Sequence, residues 1–133
     1  MKLRISKRVL VIDDEPDLSD LLATQFDLAG IEVVTASNGK DGLAAMRQHR
    51  FDVIVTDVFM PEMNGVDFIG KVREFAVDTR ILVLTGGGKF DGIDVRQRLR
   101  QMGCKVFEKP CGIKQLISEV MAICELESAK KAG

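Results

Sequence analysis

The sequence predicts a doubly wound α/β fold in which five parallel strands, in the order 2-1-3-4-5, are sandwiched between five helices. Three observations lead there. Short apolar runs recur along the chain. The strongest of them are apolar at every position, as in strands covered on both faces. The segments between them carry apolar residues at helical spacing. Right-handed crossovers leave few topologies for such an alternation.

Val9-Leu10-Val11-Ile12 reads as the first strand. Asp14 or Glu15 is placed to cap a helix that begins at Pro16, where a missing N–H costs nothing. Leu18, Leu21, Leu22 and Phe26 form its stripe, expected to face the sheet, and Gly30 marks its stop. Ile31 to Val34 supplies the second strand and Asn38 the cap of the second helix. Val53-Ile54-Val55 is the third strand and Ile81-Leu82-Val83-Leu84 the fourth. The fourth helical segment holds Arg96, Arg98 and Arg100, whose alternation suits a solvated face, and Gly103 ends it. Val106-Phe107 is a weaker fifth strand, followed by a helical stripe of Ile113, Leu116, Ile117, Val120 and Cys124. One domain over 7–126 is expected, with 127–133, rich in Ala and Lys, as a flexible tail.

Composition narrows the function. With 133 residues, 46% hydrophobic and 29% charged, the chain suits a single folded domain and not a disordered one. Its 19 basic and 20 acidic residues give a net charge of −1, so no broad field draws it to nucleic acid or anionic lipid. Cys104, Cys111 and Cys124 fit no metal-ligand spacing and read as reduced packing thiols, as expected of a cytoplasmic protein. Met1 to Arg8 leads into only four consecutive apolar residues, neither a signal peptide nor a membrane span.

In open parallel sheets, ligands bind beyond the carboxyl ends of the strands, where the winding direction reverses. The first and third strands meet there, and they end in Asp13-Asp14-Glu15 and in Asp57. Two such charges about 4 Å apart repel by about 4 kcal/mol at an effective dielectric near 20, a burden that a cation relieves. Carboxylates, a carbonyl and water make a hard oxygen site, which favours Mg²⁺. Thr85 closes the fourth run and Lys109 the fifth, offering a hydroxyl and an ammonium to an anion above the same edge. Taken singly, each of these residues is better read as a cap, a turn or a solvated charge. Their conjunction is what points to a site.

Four segments carry a family resemblance: Val11-Ile12-Asp13-Asp14-Glu15-Pro16, the run from Thr56 and Asp57 to Gly65, Leu84-Thr85-Gly86, and Phe107-Glu108-Lys109-Pro110. In order and spacing they resemble the receiver domains of bacterial two-component response regulators, which share the flavodoxin-like strand order. The resemblance implies that Asp57 is the phospho-acceptor. It further implies that Asp14 and Asp57 bind Mg²⁺ directly, Asp13 through water, and the carbonyl of Phe59 completes the protein ligands. Thr85 and Lys109 would hold phosphoryl oxygens, Phe107 would move from an outward to an inward position, and the Lys109-Pro110 bond would be cis.

The same resemblance implies a sensor histidine kinase or histidine phosphotransfer protein as donor and a downstream protein as the reader of the switch. Neither nucleic acid nor membrane is expected as a direct partner, and the chain is expected to be a monomer or a phosphorylation-dependent dimer. It would be no conventional enzyme, although it could catalyse its own phosphotransfer and dephosphorylation. A receiver-fold adaptor that works without phosphorylation, or a receiver fragment of a longer regulator, is the alternative.

Other classes fit less well. The segment from Gly86 to Lys89 lacks the Ser or Thr and the glycine spacing of a nucleotide-binding loop. An aspartyl-phosphate phosphohydrolase would want a second aspartate two residues beyond Asp57, where Phe59 stands. Asp13-Asp14-Glu15 would repel the phosphate of a flavin. Gly86 also departs from the resemblance, which more often has Ala after the threonine.

Overall fold

In the computed structural model, the described residues are 7–57, 65–76, 78–85, 89–90, 93–108 and 113–132. The elements are β1 (Arg8–Ile12), α1 (Pro16–Leu28), β2 (Glu32–Ala36), α2 (Gly39–Gln48), β3 (Val53–Asp57), α3 (Gly65–Phe75), β4 (Arg80–Thr85), β5 (Lys89–Phe90), β6 (Ile93–Asp94), α4 (Val95–Gln101), β7 (Cys104–Glu108) and α5 (Ile113–Ala132).

The main sheet has five parallel strands in the order β2-β1-β3-β4-β7. Counting only those strands, this is the predicted order 2-1-3-4-5. Side chains alternate between the faces of a strand, and here both faces are buried. Leu10, Ile12, Ile54, Ile81 and Val83 point to a core shared with Leu43 and Met46 of α2, Phe68 and Val72 of α3, and Leu99 of α4. Val9, Val11, Val53, Val55, Leu82 and Leu84 point to the other, shared with Leu22 and Phe26 of α1 and Leu116, Val120 and Cys124 of α5. Continuous apolar runs in the sequence are thus two interleaved sets, each serving one helical layer.

The punctuation residues act as the sequence suggests. Gly30 and Gly103 have φ of 85° and 82°, the left-handed region that ends a helix at little cost only for glycine. The Asn38 side chain accepts a hydrogen bond from the Asp41 N–H at 2.8 Å, capping α2. Gly42 lets α2 approach β1 closely, because a Cβ there would lie 2.6 Å from Ile12 Cδ1.

Three features differ from the expectations. Pro16 does open α1 and Glu15 occupies the N-cap position, its carbonyl accepting from the Ser19 N–H at 3.2 Å, but the Glu15 side chain makes no cap hydrogen bond. Instead the Glu15 N–H donates to Asp13 Oδ1 at 2.8 Å, so the preceding aspartate folds the loop back on itself. Leu21, assigned to the buried stripe, is 41% exposed, because it lies beside and not within the Leu22-Phe26 line. A short antiparallel pair, β5 with β6, precedes α4, where no strand was expected. At the other end of the chain, α5 runs from Ile113 to Ala132.

The amino-terminal end of the sheet is tied by polar contacts. Asp52 accepts from the Arg8 N–H at 3.0 Å and lies 3.8 Å from Lys7 Nζ, while the Thr79 hydroxyl donates to the Phe51 carbonyl at 3.3 Å. The opposite end carries the acids.

Candidate functional site

The register of β1 and β3 builds the site. Ile12 pairs with Thr56 as the last registered pair, so the next residues along, Asp13 and Asp57, become lateral neighbours at the carboxyl edge. Both continue the alternation of Val9, Val11, Val53 and Val55. The loop turned by the Asp13–Glu15 hydrogen bond then brings Asp14 round to them. Oxygens of Asp13, Asp14 and Asp57 lie within 4.8 Å of one another. Asp13 and Asp57 are buried, at 3% and 6% exposure, and Asp14 is exposed.

Burial of two carboxylates so close together is electrostatically unfavourable, and a cation held among them removes the penalty. The donor set is three carboxylate oxygens with no sulfur or imidazole, which is the chemistry of a hard, oxygen-seeking ion such as Mg²⁺. These residues therefore fit the ion that the resemblance implies. Two buried hydroxyls accompany them: Ser19 Oγ donates to the Asp13 carbonyl at 3.4 Å, and Thr56 Oγ1 donates to the Asp57 carbonyl at 3.1 Å. Sequence reading gave neither a role: Ser19 lies in no motif, and Thr56 entered only as the first residue of the segment that contains Asp57.

Thr85 is the last residue of β4 and pairs with Glu108, the last of β7, so the fourth and fifth main strands end at the same edge. Lys109 follows directly but lies outside the described residues, as do Phe59, the Gly86-Gly87-Gly88 run, Cys111, and the Lys109-Pro110 bond. Cys104 and Cys124 are buried and in no disulfide. Burial pushes the Cys104 thiol up to about 11, against a smaller lowering by Arg73.

Phe107, for which the resemblance implies outward and inward positions, lies inward here: it is 8% exposed and packed with Leu84, Leu116 and Val120 in the α1–α5 layer. Strand alternation puts the adjacent Val106 on the other side, against the layer that contains Leu99 of α4. Lys105 Nζ lies 5.8 Å from the centroid of the Phe107 ring and pairs with Glu119 Oε2 of α5 at 2.7 Å.

A sequence model described as the response regulator receiver domain matches residues 9–121. Among curated proteins, the chain is 33% identical over 116 residues to the probable transcriptional regulatory protein TcrX of Mycobacterium tuberculosis, which covers 86% of this chain and 48% of TcrX. It spans about half the length of TcrX and of the KdpE regulator from the same species, where coverage is 52%. Among solved structures, it resembles the chemotaxis response regulator CheY4 of Vibrio cholerae, with a TM-score of 0.77 and 30% identity over 89% of this chain and 98% of that one. The receiver domain of the Francisella response regulator 1452 aligns with a TM-score of 0.80 and 25% identity, covering 92% of this chain and 99% of that one. No helix among the described residues is long and apolar enough to cross a membrane.

Proposed function

The chain belongs to the response regulator receiver domain family, and from that membership we propose that it is a phosphorylation switch whose acceptor is Asp57. The observation that carries the reading is the gathering of Asp13, Asp14 and Asp57 within 4.8 Å at the carboxyl edge of the sheet. A scaffold has no need of buried, mutually repelling carboxylates, whereas an acceptor of phosphoryl groups needs both a nucleophile and a place for a cation.

In the proposed reaction an Asp57 carboxylate oxygen attacks the phosphorus of a phosphohistidine on a sensor kinase or phosphotransfer protein. The new P–O bond forms as the P–N bond breaks, and the imidazole leaves with the electron pair and takes up a proton. Asp14 and Asp57, with the Phe59 carbonyl, would hold Mg²⁺ directly, and Asp13 would hold it through water. When bound, Mg²⁺ supplies neutralisation of charge on the phosphoryl oxygens. Lys109 and Thr85 are proposed to receive the remaining phosphoryl oxygens by charge-assisted and neutral hydrogen bonds.

The aspartyl phosphate then acts by preferring one of two arrangements of the domain, shifting their populations by its differential free energy and by no more. We place the readers of that shift among proteins, as the near-neutral charge of the chain suggests. The reading places the chain in the cytoplasm, as a monomer or a dimer formed on phosphorylation.

The test is incubation with Mg²⁺ and a small acyl-phosphate donor, followed by intact mass measurement. Wild type is expected to gain one phosphoryl group, while Asp57→Asn, and wild type in EDTA, stay unmodified. Wild type that remains unmodified with Mg²⁺ present would reject the proposal. Recovery of the same partner proteins with and without the modification would favour a constitutive adaptor instead.

A further inference from the structure

Six polar or charged residues among those described are buried, and they fall into two groups. Lys7 and Thr79 belong to the amino-terminal end of the sheet, beside Asp52 and Phe51. The other four are Asp13, Asp57, Ser19 and Thr56. Each of these two hydroxyls donates to the backbone carbonyl of one of these two aspartates.

We infer that Ser19 and Thr56 are positioning residues for the carboxylate cluster: two buried hydroxyls that hold the Asp13 and Asp57 peptides so that their carboxylates converge on a cation. The inference rests on the proposed function, since it presumes that a cation is what the cluster binds.

The physical case has three parts. Asp13 and Asp57 sit where strands give way to loops, beyond the last registered pair of β1 and β3; Asp57 still pairs with Leu84 of β4 and the Asp13 N–H donates to the Ala36 carbonyl, and the two hydroxyls add to a ladder that is ending there. A buried carbonyl that loses one donor gives up a net hydrogen bond, and the peptide is freer to turn. Rotation of that peptide swings the carboxylate attached to it, and a cation site assembled from several oxygens tolerates little displacement.

The two hydroxyls also approach from different elements. Ser19 reaches the Asp13 carbonyl from α1, whose backbone at Ser19 is itself bonded to the Glu15 carbonyl at 3.2 Å. Thr56 acts from within β3, at 0% exposure. The first ties the Asp13–Glu15 loop to the helix that follows it, and the second fixes the peptide that carries the acceptor. Neither hydroxyl belongs to the cation's proposed ligand set.

Thr79 supplies an internal control, because its buried hydroxyl also donates to a backbone carbonyl, that of Phe51, at the far end of the sheet. Mg²⁺ affinity is measured by calorimetry for wild type, Ser19→Ala, Thr56→Val, Thr56→Ser and Thr79→Val. Thermal midpoints in EDTA establish that each variant is folded. Ser19→Ala and Thr56→Val are each expected to weaken Mg²⁺ binding by about two- to tenfold, the equivalent of a typical net hydrogen bond. Thr56→Ser keeps the donor and is expected to retain affinity. Thr79→Val is expected to lower the midpoint with affinity unchanged.

Wild-type affinity in both Ser19→Ala and Thr56→Val would overturn the inference, as would an equal loss in Thr79→Val, while leaving the proposed function standing. Wild type that binds no Mg²⁺ would sink the proposed function and this inference together.

Discussion

Asp57 stands beside Asp13 because Thr56 pairs with Ile12 one step earlier in the β3–β1 ladder. Parallel pairing that serves the core thus also delivers two acids to the same edge. Their closeness is set by backbone hydrogen bonds and by apolar packing on both faces, so the repulsion between them cannot be relieved by drifting apart. The expected consequences follow from that constraint.

Removing one buried charge should stabilise the cation-free protein. Asp57→Asn is expected to raise unfolding free energy in EDTA by about 1 kcal/mol, well below the Coulomb figure of about 4 kcal/mol because the Asp14 side of the cluster is open to solvent. Adding Mg²⁺ should shrink that advantage, since an ion that binds only the folded wild type stabilises it by mass action. Urea denaturation with and without Mg²⁺ reads both, and a less stable Asp57→Asn in EDTA would count against the cluster being a strained acid site.

Asp14 is exposed and forms the outer wall of the cluster. Asp14→Asn is expected to leave folding nearly unchanged, as surface substitutions usually lie within about 0.5 kcal/mol, yet to weaken Mg²⁺ binding at least tenfold by loss of a charged ligand. Comparison of thermal midpoints with calorimetric affinities separates the effects. Unaltered affinity would remove Asp14 from the ligand set.

Phe107 fills the layer beneath α5. Phe107→Ala is expected to cost about 3–5 kcal/mol, the range for emptying an aromatic site in a packed core. Val106→Ala, at a half-buried position on the other side, should cost clearly less. Denaturant titration of the pair decides it; a Phe107→Ala variant as stable as wild type would contradict a ring that fills the layer beneath α5.

Cys104 should be inert and should make stability depend on alkaline pH. Its thiol titrates higher when folded, at about 11, than its ordinary value of 9.0. A folded pKa above the unfolded one means the contribution is fully present below pH 9.0 and is lost as pH rises through about 11. Cys104→Ala is therefore expected to flatten the fall of the denaturation midpoint between those values. At neutral pH the native thiol should react with alkylating reagents far more slowly than in the unfolded chain. Equal slopes for the two proteins would contradict this.

Much of this was legible in the sequence, for physical reasons. Runs such as Ile81-Leu82-Val83-Leu84 announce a strand buried on both faces, and Asn38, Gly30 and Gly103 mark ends because capping and positive φ depend on the residue itself. Asp13, Asp14 and Asp57 were legible because strand ends converge in this topology. Two things were not. The Asp91-Gly92 dipeptide between β5 and β6 is a strong hairpin signal, but strands of two residues leave no apolar run to accompany it. Leu21 fits a helical stripe by spacing, yet only the angle at which α1 meets the sheet decides which edge of a stripe is buried.

The most direct measurement is a Mg²⁺ titration followed by backbone amide NMR. The largest shifts are expected at Asp13, Asp14, Glu15 and Asp57, saturating together with one affinity, and the amino-terminal edge around Arg8 and Asp52 should stay still. No saturable change, or shifts centred away from the three aspartates, would contradict a cation site built by the β1–β3 register.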